Sequence, residues 1–153
     1  MKILIVEDQI EKAKELENLC IQYFRRSLDV THSQSLRGGL REIVKSHDFN
    51  LILLDMSMPN FDPSPDDPLG GTPESFAGKE FLAQLKLRNI NVPVIIVTQY
   101  HTFEEGLIEL NSINSLLLEE FGSFYLGAVY YSSADKEWES KLTGILNEQF
   151  DAE

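Results

Sequence analysis

Two short apolar runs in this chain each end in carboxylates. Ile3-Leu4-Ile5-Val6 runs directly into Glu7 and Asp8, and Leu51-Ile52-Leu53-Leu54 runs into Asp55. Four apolar residues are too few for a typical helix, and a run without alternation suits a strand covered on both faces. Asp55 then stands at the carboxyl end of such a strand, where open α/β sheets place their chemistry. Alone it would merely end a strand. With the first and third strands side by side, Glu7, Asp8 and Asp55 converge at one sheet edge. Three carboxylates close together repel, which raises at least one pKa unless a cation is present. A hard divalent ion with oxygen ligands is the natural counter-charge, and Mg²⁺ suits that role. A carboxylate beside Mg²⁺ can attack a phosphoryl group and become an aspartyl phosphate.

The elements that must position these acids follow from periodicity. After the strand at Ile3 to Val6, a helix is expected from about Gln9 to Arg26, with Ile10, Ala13, Leu16 and Cys20 on its buried face. A second strand lies near Leu28 to Thr31. A second helix follows over Ser35 to Ser46, with Leu36, Leu40, Ile43 and Val44 inward. The third strand is Asn50 to Asp55, soon stopped by Pro59. Pro63, Pro65, Pro68 and Pro73, four of the chain's six prolines, then mark an insertion at 63–77. At about fifteen residues it is longer than the usual connection, and it is either a functional lid or a tolerated surface loop. A third helix runs from Gly78 to Arg88 and a fourth strand from Val92 to Thr98. A long fourth helix is expected over 103–121, although Gly106 weakens its first turn. Val129 to Ser132 reads as the fifth strand. Asp135 can cap a last helix carrying Trp138, Leu142, Ile145 and Phe150. Five alternations of strand and helix give an α/β architecture, an open parallel sheet covered on both faces.

The chain's overall properties bound what it can do. Its 153 residues suit one domain with a sizeable core, 1–153. The net charge is -12 and the pI about 4.6, with no segment gathering Lys and Arg into a basic surface. Direct nucleic-acid binding is therefore disfavoured. Cys20 is the only cysteine, so no internal disulfide can form. The first apolar run is too short for a signal peptide, and none is long enough to span a membrane. A cytoplasmic location is the resulting expectation.

The residues so assembled resemble the receiver domain of two-component response regulators. The matching stretches are Ile3 to Asp8, Leu53-Leu54-Asp55-Met56-Ser57-Met58-Pro59, Gly78 opening a helix, Val92 to Thr98, and Gly127-Ala128 leading to Tyr131. Together they cover essentially the whole chain. The resemblance implies a flavodoxin-like (βα)5 sandwich with parallel sheet order 2-1-3-4-5. It implies that Asp55 is the phosphoacceptor, that Thr98 hydrogen-bonds the phosphoryl group, and that Tyr131 is the switch aromatic. It also implies that Mg²⁺ is held by Glu7, Asp8, Asp55 and the backbone carbonyl of Ser57. The partners implied are a histidine kinase or phosphotransfer protein and a downstream protein effector.

Several positions depart from the receiver pattern. Receivers carry a Lys three residues after the switch aromatic, followed by Pro, whereas Ala134 and Asp135 stand here. That Lys makes a charge-assisted bond to the phosphate. Lys136 lies two residues further on, and it reads more naturally as an exposed charge in the first turn of the last helix. Gln99 follows Thr98 where a small residue is usual. The insertion and the long segment between Thr98 and Gly127 are also unusual. Two readings stay open: a stand-alone regulator phosphorylated on Asp55 that signals by binding another protein, and a pseudo-receiver that keeps the fold without the phosphoryl switch. An aspartate-nucleophile phosphohydrolase needs a second Asp two residues after the nucleophile. Ser57 occupies that place, so enzymatic activity is not expected.

Overall fold

The structure is a computed structural model, and it describes residues 1–46, 48–59, 62, 64–66, 77–100, 102–103 and 108–150. Its strands are β1 (Lys2–Val6), β2 (Asp29–Ser33), β3 (Leu51–Leu54), β4 (Val94–Thr98), β5 (Thr102–Phe103), β6 (Ile108–Glu109) and β7 (Tyr125–Tyr130). Its helices are α1 (Ile10–Phe24), α2 (Leu36–Lys45), α3 (Ala77–Leu87), α4 (Leu110–Phe121) and α5 (Glu137–Phe150).

Five strands form one parallel sheet in the order β2-β1-β3-β4-β7. This is the flavodoxin-like order 2-1-3-4-5. Successive side chains of a strand point to opposite faces, so each strand feeds two cores. Leu4, Val6, Ile52, Leu54, Val94 and Ile96 face α2, α3 and α4. Ile3, Ile5, Leu51, Leu53, Ile95 and Val97 face α1 and α5. The central strands are buried on both sides, which is why they read as unbroken apolar runs. No helix among the described residues is long and apolar enough to cross a membrane.

Local chemistry sets the element ends. Ser35 caps α2, its hydroxyl oxygen accepting from the Gly38 N–H at 3.0 Å. The same hydroxyl donates to Asp62 at 2.6 Å, tying the loop beyond β3 to the start of α2. Arg25 closes α1 in the left-handed region at φ 52°.

Four expectations need correction. The fourth helix does not start at 103 but at Leu110. Thr102–Phe103 and Ile108–Glu109 pair instead as an antiparallel ribbon, Thr102 opposite Glu109. Threonine, phenylalanine and isoleucine suit a strand, and a glycine at 106 weakens a helix by about 1 kcal/mol relative to alanine. Gly106 itself lies outside the described residues. The fifth sheet strand begins at Tyr125, four residues before Val129, and ends just short of Tyr131. Its register against β4 shifts at Leu126, and Gly127 has φ 150°. A bulge at a glycine hides the strand from pattern reading. Ile10 and Val44 are exposed, each at the edge of its helix's apolar stripe. Ala77, taken as the end of the insertion, is the buried first residue of α3. Most of the 63–77 insertion lies outside the described residues.

Candidate functional site

Glu7 continues the side-chain parity of Ile3 and Ile5, and Asp55 that of Leu51 and Leu53. Both therefore leave the sheet on the face that α1 covers. Asp8 follows in the bend after β1 and is exposed. Carboxylate oxygens of Glu7, Asp8 and Asp55 lie within 4.8 Å of one another, so the structure brings together the three acids singled out by sequence. Glu7 is 1% exposed and Asp55 3%.

Asp55 is held from several sides. Its backbone N–H donates to Val6 O at 3.0 Å, across the β1–β3 seam. Its Oδ1 accepts from the Met56 N–H at 2.7 Å, and the Thr98 hydroxyl also bonds the carboxylate. Thr98 is fully buried at the end of β4, and its oxygen accepts from the Tyr100 N–H at 3.3 Å. Gly78 approaches from the far side. Its N–H donates to Met56 O at 2.9 Å, and a Cβ there would lie 3.0 Å from Asp55 O. Ser57 lies half-buried, two residues beyond Asp55.

A cation that the sequence reading did not assign sits among these groups. Lys12 of α1 is 1% exposed. Its Nζ lies 2.6 Å from Glu7 Oε1 and 3.5 Å from Asp55 Oδ2, and it donates to Val97 O at 2.8 Å. The signal was present in the pattern. The buried stripe of α1 is Lys12, Ala13, Leu16, Leu19 and Cys20. A lysine at an apolar-face position just after an acid pair needs a buried partner, because lysines are almost never fully buried unpaired.

Even with this lysine present, burial dominates the electrostatics. It pushes Glu7 from 4.5 up to about 8; Asp55 adds to the rise, and Lys12 opposes it. Asp55 is also raised, by burial first, with Asp8 adding and Lys12, the Met56 N–H and Thr98 opposing. Repulsion among the acids is thus real but secondary to desolvation.

Tyr131 lies immediately after β7 and is buried. Its N–H donates to Thr98 O at 2.7 Å, and its hydroxyl donates to Glu15 on α1. Lys12 Nζ is 5.5 Å from its ring centre, and the Trp138 ring is 5.1 Å away at 52°. Two residues of α1 therefore hold Tyr131. Ala134 is exposed, its N–H bonded to Ser132 Oγ. Lys136 reaches into solvent with its side chain 87% exposed, 3.9 Å from Glu139. Gln99 is half-buried beside Thr98.

The donor set fits a hard divalent ion. Three carboxylates and one ammonium leave two formal negative charges, and every side-chain donor is oxygen. Glu7 Oε2 accepts from the Gln9 N–H at 3.0 Å, whereas the buried Oε1 has an ion pair with Lys12 but no well-directed hydrogen bond.

No model of a known protein family matches the chain. It is 31% identical to the Detocs response regulatory protein DtcB of Enterobacter cloacae over 150 residues, 97% of this chain and 99% of that one. It is 34% identical over 149 residues to the uncharacterized protein y4jR of Sinorhizobium fredii, covering 93% and 94% of the two chains. Among solved structures, a response regulator receiver domain protein from Clostridium thermocellum superposes with a TM-score of 0.64 at 17% identity. That match covers 98% of this chain and 94% of the other.

Proposed function

The chain belongs to the response-regulator receiver family, and from that premise we propose that it accepts a phosphoryl group on Asp55 and signals by binding another protein. We read residues 1–153 as a single cytoplasmic receiver served by a histidine kinase or phosphotransfer protein. The observation that carries this reading is the setting of Asp55. Its carboxylate stands at the carboxyl end of β3, held by the Met56 N–H and the Thr98 hydroxyl, beside Glu7 and Asp8. In the transfer, Asp55 Oδ2 attacks the donor phosphorus. The bond from phosphorus to the donor nitrogen breaks, and its electron pair leaves with that nitrogen, which takes up a proton from water. The Thr98 hydroxyl then turns its hydrogen bond to a phosphoryl oxygen. Glu7, Asp8, Asp55 and the Ser57 carbonyl would hold Mg²⁺, which supplies neutralisation of the phosphoryl charge. Tyr131 would be the residue that reports the change.

The pseudo-receiver reading has one observation in its favour: both oxygens of Glu7 are already engaged, by Lys12 and by the Gln9 N–H. One experiment separates the two. Incubation with acetyl phosphate and Mg²⁺ should add a single phosphoryl group to the intact protein, labile to hydroxylamine and absent in Asp55→Asn. No mass gain in the wild type, or an equal gain in Asp55→Asn, overturns phosphorylation at Asp55.

A further inference from the structure

A lysine ammonium almost wholly withdrawn from water is unusual, and Lys12 reaches inward to the buried acids. Its stem leaves the first turn of α1, crosses the end of β1 and ends against β4 at Val97 O. Two oxygens hold it in place, Val97 O at 2.8 Å and Glu7 Oε1 at 2.6 Å. Asp55 Oδ2, at 3.5 Å, is close enough for an ion pair but beyond a good hydrogen bond. Oδ2 is also the Asp55 oxygen without the Met56 bond. A group attached to Oδ2 would thus grow beside an ammonium already desolvated and aimed. Among the described residues no other lysine or arginine is ion-paired to Glu7, Asp8 or Asp55.

We propose that Lys12 is the cation that binds the phosphoryl group on Asp55, its ammonium hydrogen-bonding a phosphoryl oxygen while Val97 O holds it in place. The proposal rests on phosphorylation at Asp55 and deepens it. A phosphoryl group brings three strong acceptor oxygens, and a preorganised donor in a site closed to water stabilises them more than the same donor in solvent. No lysine is then needed at 134. The ammonium also faces the ring of Tyr131, whose hydroxyl is tied to Glu15 one turn further along α1. Movement of the Lys12 charge toward a phosphoryl oxygen therefore changes what Tyr131 rests on.

The test follows acetyl phosphate labelling in the presence of Mg²⁺ in wild type, Lys12→Met, Lys12→Met with Ala134→Lys, and an Asp55→Asn blank. Thermal melts on the same samples separate folding from labelling. Labelling in Lys12→Met at a rate lower by roughly tenfold or more, with a cooperative melt retained, supports the proposal. Recovery on adding Ala134→Lys supports it further, because a merely structural lysine on α1 would not be rescued from the β7–α5 loop. Equal rates in wild type and Lys12→Met overturn the role of Lys12 and leave phosphorylation of Asp55 standing. A wild type that takes no label overturns both. Should Lys12→Met fail to fold, the crystal structure of the wild type with beryllofluoride and Mg²⁺ decides. Lys12 Nζ within hydrogen-bond distance of a fluoride upholds the proposal, and Nζ out of reach of every fluoride refutes it.

Discussion

Glu7 ties the charge of the pocket to the stability of the protein. Its ordinary pKa is 4.5 and its folded value about 8, with burial the leading cause. Below about 4.5 both folded and unfolded chains hold the proton. Between 4.5 and 8 only the folded chain does, so its contribution to stability is lost as pH rises through about 8. Metal-free protein should therefore melt at progressively lower temperature as pH rises across that window. Glu7→Gln should flatten the slope, and any remainder belongs to Asp55, which is shifted the same way. Identical slopes in wild type and Glu7→Gln, measured by calorimetry in chelator, would count against this assignment. Cys20 offers a second residue-scale check. It is fully buried, and burial with Glu17 nearby pushes its thiol up to about 12. Alkylation by iodoacetamide at pH 8 should be negligible in the folded chain and rapid in denaturant, because the thiolate is the nucleophile. Fast native labelling would mean that the inner face of α1 opens locally.

At the scale of elements, the junction between β3 and α3 fixes Asp55, the proposed phosphoacceptor. Gly78 sits in the first turn of α3, where a Cβ would come within 3.0 Å of both Asp55 O and Met56 Cα. These are backbone atoms, which cannot swing aside as a side chain can. Gly78→Ala should destabilise by about 1–3 kcal/mol and slow phosphorylation by displacing Asp55. Gly144 in α5 is the control. A Cβ there meets nothing within 4 Å, so Gly144→Ala should stabilise by about 0.5–1 kcal/mol through helix propensity alone. Urea denaturation of both variants measures the pair, and destabilisation of equal size in each would refute the steric account. The clamp from α1 belongs to this scale as well. Lys12 and Glu15 both reach Tyr131, so α1 and Tyr131 are expected to move together.

For the molecule as a whole, a net charge of -12 means that any cation can raise stability by screening. Specific Mg²⁺ binding must be separated from that background. At constant ionic strength Mg²⁺ should raise the melting temperature by mass action, stabilising the fold by about 2.7 kcal/mol at one hundred times Kd. Asp8→Asn should remove most of the gain, because Asp8 is the exposed member of the acid cluster. A gain of the same size in Asp8→Asn would show that Mg²⁺ acts through surface charge.

The sequence by itself determined the sheet and its acids. Short unbroken apolar runs suit strands buried on both faces, and a run that ends in a carboxylate then places that carboxylate at the sheet edge. Glu7, Asp8 and Asp55 were legible for this reason, as were Thr98 ending β4 and the helices covering the sheet. The ribbon before α4 and the early start of β7 were not, because a glycine in a helical pattern and a bulge in a strand break the periods that sequence reading relies on. Tertiary structure alone decided where the cation comes from. Position 134 is exposed and carries no charge, and Lys136 reaches into solvent. The charge is delivered instead from α1, by a residue 43 positions before Asp55 in the chain and 3.5 Å from its carboxylate in space. Periodicity could show that Lys12 faces inward. Only the packing of α1 across the ends of β1, β3 and β4 could show which oxygens it meets.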